Sequence, residues 1–183
     1  MSFDSTSDDK LMREVRDGDA RKLALLFERH HAKLYRYYLR MTADRQWAED
    51  LVQEVFFRML RHSGTYKPEF GFTTWMYRIA RNAYIDQLRK KKWEVAMDET
   101  WDAPAEAGQP LERRQEVELL RRALAKLPDD KRDLLVMSRF QGLKYEQIAG
   151  ILECEPGAVK VRVFRAMQAL RNVYFELAGR KAS

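Results

Sequence analysis

Cysteine, histidine, glycine and proline are all scarce in this chain. Its 183 residues hold one cysteine (Cys154), three histidines (His30, His31, His62), 8 glycines and 5 prolines. A single thiol excludes an intrachain disulfide framework and favours a reducing compartment. Three histidines and one cysteine at these spacings make no metal-ligand pattern, so neither a metal nor another cofactor is expected. So few glycines argue against strand-and-turn folds. No apolar run approaches the roughly 20 residues that span a bilayer, which argues against membrane insertion. The N-terminal "MSFDSTSDDK" is polar and acidic, unlike a secretion signal, so the chain reads as cytoplasmic. P-loop, G-x-S-x-G and H-E-x-x-H patterns are missing. With no convergent acid, base, nucleophile or metal set, an enzyme is the weakest reading.

What the chain does have is charge and helical period. Hydrophobic residues make up 45% and charged residues 34%, with a net charge of +6. A basic balance favours a polyanionic partner where the cations cluster, and otherwise gives only a soluble, charged surface. In "DARKLALLFERHHAKLYRYYLRM", Leu23, Leu26, Phe27, His30, Leu34, Tyr38 and Met41 recur at helical spacing, with Asp19 as a cap. "DRQWAEDLVQEVFFRMLRH" carries a wide apolar stripe through Trp47, Leu51, Val55 and Met59, so this helix is central to a core. "SGTYKPEFGF" breaks the pattern, and "TTWMYRIARNAYIDQLRKKK" resumes it near Thr73 or Thr74.

Residues 93–112 then carry six acids and no base, with Pro104, Gly108 and Pro110 among them and no period. They read as an acidic, flexible linker. The expected fold is therefore all-α: an N-terminal helical domain (1–92) and a C-terminal one (113–183), not prearranged against each other. Below about 100 residues each, both cores are modest.

The second domain ends in "GLKYEQIAGILECEPGAVKVRVFRAMQALR", which reads as helix, short turn, helix. Ala149 is small where the helices cross, Glu153–Glu155 make the turn, and Pro156 opens the second helix. On that helix Val159, Val163, Ala166 and Leu170 form one buried seam. Val161 and Phe164 point the other way, among Lys160, Arg162 and Arg165. A DNA major groove suits that mixture: cations meet phosphates and guanine edges, and an apolar group meets a thymine methyl. Packing of Phe164 on a neighbouring helix or a protein partner is the other reading.

Two further surfaces stand out. Between His62 and Lys92, seven cations face two acids. Trp75, Arg78, Asn82, Asp86 and Arg89 share one face of that helix, while Phe72, Met76, Ile79, Ala80 and Ala83 share an ordinary core face. An aromatic among cations and an amide suits unpaired bases; a solvated basic face with Trp75 in the core is equally open. On the preceding helix Asp50, Gln53 and Glu54 make an outward acidic edge, either a dock for a basic helix or plain solvated surface. Cys154 lies in the turn, as a redox sensor or simply a small apolar residue.

Taken in order, "AEDLVQEVFFRML", "FGFTTWMYRIARNAYIDQLRKKK", "LAKLPDDKRDLLVMSRFQGLKYEQIAGIL" and "PGAVKVRVFRAMQALR" resemble an extracytoplasmic-function sigma factor of bacterial RNA polymerase, of the sigma-E type. The resemblance covers roughly residues 10–92 and 113–175. It implies a factor that binds core RNA polymerase, recognises promoter DNA and promotes melting, held in check by an anti-sigma factor. It implies that Asp50, Gln53 and Glu54 grip the coiled coil of the polymerase's largest subunit. It assigns the minus-ten element to the 63–70 loop and the following helix, with Tyr66 and Asn82 at a flipped-base pocket, Trp75 and Arg78 beside them, and Arg89 and Lys90 on the basic end. It assigns the minus-thirty-five element to Lys160, Arg162, Phe164 and Arg165. Where family members often carry "GTV(K/R)SR", this chain has Ala158 and Val161 in place of the two hydroxyls, and Met167 where a second arginine is frequent. A promoter read with more apolar contact follows. The alternatives are a stand-alone helix-turn-helix regulator, which would have no need of a base-stacking basic helix, and a helical adaptor, which would lack the cations.

Overall fold

Among the residues that this computed structural model describes, 6–94 and 111–179, every regular element is helical. The order is α1 (Asp8–Arg16), α2 (Lys22–Thr42), α3 (Arg45–Arg61), α4 (Phe72–Glu94), α5 (Leu111–Ala125), α6 (Asp129–Leu135), α7 (Tyr145–Leu152) and α8 (Pro156–Leu177). Side-chain caps set two of the starts. The Ser7 hydroxyl accepts from the Lys10 N–H at α1, and the Asp44 carboxylate accepts from Trp47 N–H at 2.9 Å at α3. Asp8 and Asp9 in the first turn of α1 suit the positive end of its dipole. Asp19 is not a cap, contrary to expectation: its carboxylate takes the Arg21 side chain at 2.8 and 3.2 Å, and α2 begins at Lys22. The carboxylate is spent on a charged neighbour before the helix starts.

α2 packs on α3 and α3 on α4, with α1 laid against α2. Leu26, Leu34, Tyr37, Tyr38, Leu51, Val55, Met59 and Met76 fill the space between them, each 1% exposed or less. In the second group α8 packs on α5, α6 and α7. The helix-turn-helix forms as read: α7, a turn in which Glu153 takes a left-handed conformation (φ 52°), then α8 with Pro156 in its first turn. The seam residues Val159, Val163, Ala166 and Leu170 are all buried.

Contrary to the expectation that the two groups are not prearranged against each other, they share one continuous apolar core. Buried polar contacts bridge them. Tyr37 Oη donates to Asp133 Oδ1 at 2.7 Å and Arg81 Nε to Asp133 Oδ2 at 2.9 Å. Tyr84 reaches Asp129 at 3.0 Å, Tyr77 reaches Gln141 at 2.9 Å, and Arg132 donates to the Met41 carbonyl at 2.5 Å. α7 also packs directly on α4. The acidic stretch 95–110 lies outside the described residues; its flanks are helical, since α4 reaches Glu94 and α5 starts at Leu111, two residues inside the expected linker at each end.

Candidate nucleic-acid interface

α8 presents its outward face as expected. Phe164 is 63% exposed and Val161 48%, and Lys160, Arg162 and Arg165 are exposed around them. No ion pair among the described residues engages these three cations; Arg162 only lies 4.0 Å from the Cys154 sulfur. Met167 adds a third exposed apolar side chain at 38%. The face offers unneutralised charge for phosphates or guanine edges and apolar surface for thymine methyls.

The α4 surface is divided. Asn82, Arg89 and Lys90 are exposed, but Trp75 is 9% exposed and Tyr66 2%. The two aromatics meet edge-on with ring centres 5.2 Å apart, so they pack on each other and neither is free to stack on a base in this arrangement. Arg78 is turned to the second helical group: Nη2 donates to the Gly150 carbonyl at 2.5 Å and Nη1 lies 3.4 Å from Glu153. Arg58 on α3 joins Glu54 at 2.6 Å to Asp86 of α4 at 2.7 Å, tying the acidic edge to this face.

The polar loop before α4 contains short 3₁₀ turns at Ser63–Thr65 and Pro68–Phe70, and Gly71 sits at φ 73°, where a side chain would be strained. Arg16 of α1 and residues 66–70 line a concavity of about 410 Å³, with Phe70 59% exposed at its rim. On α3, Asp50 and Gln53 are exposed, and Asp50 accepts from Gln46 Nε2 at 3.1 Å. Glu54 is half-buried and already paired with Arg58. Phe57 (59%) and Leu60 (42%) stand out of the same helix.

Charge is also buried. Burial pushes the Asp133 carboxyl above its ordinary 3.8, against the pull of Tyr37 and Arg81. At the start of α1, Asp8 bonds Arg29 at 2.8 Å and His30 at 2.7 Å. Burial raises Asp8, but those two partners outweigh it and leave the carboxyl below 3.8. Burial lowers His30 below 6.5 despite Asp8, and a buried Nδ1 without a hydrogen-bond partner fits the neutral ring.

Several of these residues carry no clear sequence signal. Asp9 and Asp133 read as helix-turn acids and Tyr37 as core. Gly150 is the exception, since a glycine inside a helical pattern costs about 1 kcal/mol against alanine: a Cβ there would lie 3.0 Å from Thr74 Cγ2 of α4.

Residues 26–94 match the Sigma-70 region 2 family and residues 117–170 the Sigma-70, region 4 family. The chain is 32% identical to the RNA polymerase sigma-H factor of Pseudomonas aeruginosa, across 89% of this chain and 91% of that one. It is 33% identical to the sigma factor CarQ of Myxococcus xanthus, across 91% and 97%. It is 30% identical to the ECF sigma-E factor of Escherichia coli, across 91% and 93%. Two solved structures share the fold, each with a TM-score of 0.68: CnrH in complex with the cytosolic domain of CnrY (22% identical, 89% of this chain and 94% of that one), and RpoE of Bartonella quintana in complex with the anti-sigma factor NepR (24% identical, 82% and 94%). Region 2 falls on α2–α4 and region 4 on α5–α8, in the family's order, and the chain belongs to the extracytoplasmic-function sigma factors, the promoter-recognising subunits of bacterial RNA polymerase.

Proposed function

We propose that this sigma factor divides promoter reading between two faces. α8 enters the major groove of the minus-thirty-five element, with Lys160, Arg162 and Arg165 on phosphates and guanine edges and Phe164 on thymine methyls. The loop 63–70 and the outer face of α4 meet the melted minus-ten strand. Asn82 reads an extruded base, Arg89 and Lys90 hold the backbone, and Tyr66 and Trp75 form the wall behind the loop, with Arg78 joining once α7 moves off it. Asp50 and Gln53, with Glu54 behind them, dock the basic coiled coil of the polymerase's largest subunit. The protein holds no cofactor and carries out no covalent step of its own; polymerase supplies the chemistry. It acts in the bacterial cytoplasm under an anti-sigma factor, a reading supported by the two fold relatives held by a partner of that kind or by a partner's cytosolic domain.

The observation that carries this reading is the outward Phe164 beside Lys160, Arg162 and Arg165, which no ion pair among the described residues engages, on a helix whose opposite seam is buried. Run-off transcription with purified core polymerase tests it. Initiation at defined promoters by the two together, and at none by core alone, is expected. Tight promoter binding by the free chain with no effect on core polymerase would instead favour a stand-alone regulator.

A further inference from the structure

Asp9 lies in α1, ahead of residues 26–94 that match region 2. Its Oδ1 accepts two hydrogen bonds, from the Tyr66 hydroxyl and from the backbone N–H of Phe72 at 2.8 Å. Those two donors bracket residues 67–71. One carboxylate oxygen therefore closes the loop at both ends, and the Phe72 bond also occupies a first-turn N–H of α4 that has no partner inside the helix. The hydroxyl bond fixes the Tyr66 ring edge-on against Trp75, so the wall behind the loop is set from α1 as well. A short loop released at this point has many backbone states open to it, and a charged acceptor shared by two donors removes most of them. α1 is itself pinned: the neighbouring Asp8 is tied to Arg29 and His30 of α2, and Leu11, Met12 and Val15 are buried. The concavity formed by the loop takes Arg16 from the same helix as one wall.

We infer that Asp9 is a positioning residue for minus-ten specificity: from outside the matched region, it holds loop 66–72 in the shape that meets the melted strand. The inference rests on the reading of that loop as a DNA surface. Its signature is selective. A residue that only stabilised the fold would weaken every promoter in step with the loss of folded protein. A residue that shapes the reading loop alters preference between bases while polymerase binding stays intact.

The experiment uses holoenzyme assembled from core polymerase and the full chain. Templates are pre-melted over the minus-ten element and differ by single bases within it, and open-complex yield is read on each. Asp9→Ala should reduce discrimination between the best and worst bases by about five- to tenfold, the lower end of what one lost base contact costs, with core binding unchanged. Asp9→Asn, which keeps an acceptor oxygen, should recover most of it. Tyr66→Phe removes one of the two bonds and keeps the ring, so it should give a partial loss even if Asp9→Ala folds poorly. Unchanged discrimination in a folded Asp9→Ala, or, where Asp9→Ala loses core binding, unchanged discrimination in Tyr66→Phe, overturns the inference. Lys67→Ala and Phe70→Ala separate it from the underlying reading. If they change base preference and Asp9→Ala does not, the role of Asp9 alone is wrong. If none of them does, the loop does not read DNA, and both ideas fall.

Discussion

Arg78, a cation assigned to the minus-ten strand, donates to the backbone carbonyl of Gly150 in the first helix of the helix-turn-helix, at 2.5 Å. The closed arrangement thus covers part of the face proposed to read the minus-ten strand with an element of the helix-turn-helix. Gly150 suits this close packing, because a Cβ there would lie 3.0 Å from Thr74 Cγ2, tighter than ordinary contact. For Arg78 to reach DNA, α7 must move off α4. Gly150→Leu should wedge the groups apart. Expected results are a larger radius of gyration in X-ray scattering and tighter binding of single-stranded minus-ten DNA by the free chain. An unchanged radius would mean that the interface absorbs the side chain.

Asp133 fixes the same interface from within. It is 5% exposed and bonded to Tyr37 on α2 and Arg81 on α4. Removing one member of a buried pair leaves uncompensated polar groups and costs about 3–5 kcal/mol. At about 2–4 °C per kcal/mol for a protein of this size, Asp133→Ala should lower the melting temperature by roughly 6–20 °C. Asp133→Asn, which keeps an acceptor for Tyr37, should lose less. Calorimetry on the three proteins checks the order.

Acid should loosen α1. His30 has a folded pKa below its ordinary 6.5, so the unfolded chain takes up a proton first as pH falls. The neutral ring's contribution is complete above pH 6.5 and is lost as pH falls from there through the folded value. Asp8, with a folded pKa below 3.8, adds a second loss at lower pH, in the same direction. Melting temperature measured from pH 7.5 to 5 should fall below about 6.5, and His30→Gln should flatten that step. A flat wild-type profile would contradict this, because it would show that His30 takes up its proton as readily in the folded chain as in the unfolded one.

Core binding should be sensitive at Asp50 and Gln53 more cleanly than at Glu54. Asp50→Lys changes an exposed charge and should weaken core pull-down while the fold is retained. Loss of a charge partner costs about 2–5 kcal/mol if buried in the complex, and less at a rim. Glu54→Lys also removes one of the two carboxylate partners of Arg58 and sets a second cation beside it, so circular dichroism must accompany it. Unchanged capture of core polymerase by a folded Asp50→Lys protein would reject this docking edge.

The helices and the helix-turn-helix were legible because period and punctuation agree. Val159, Val163, Ala166 and Leu170 had to lie on one side, which left Phe164 outward, and the fold places them so. The burial of Trp75 was not legible. A tryptophan on a cationic helix face fits a stacking platform and a packed wall equally well, and only Tyr66, held by Asp9, decides between them. The packing of the two groups was hidden for a related reason. It runs through tyrosine hydroxyls and one aspartate, whose partners lie 96 and 52 residues away in the chain, beyond the reach of any local pattern.

Open-complex yield with core polymerase, on matched duplex templates and templates pre-melted over the minus-ten element, tests the division between the two faces most directly. Arg165→Ala should blunt the response to changes in the minus-thirty-five element by about 1–3 kcal/mol and keep that defect on both templates. Asn82→Ala should respond normally to the upstream element and lose base preference within the minus-ten element, again on both templates. Identical responses of the two variants to the two elements would contradict separate reading faces, and with them the mechanism proposed for this sigma factor.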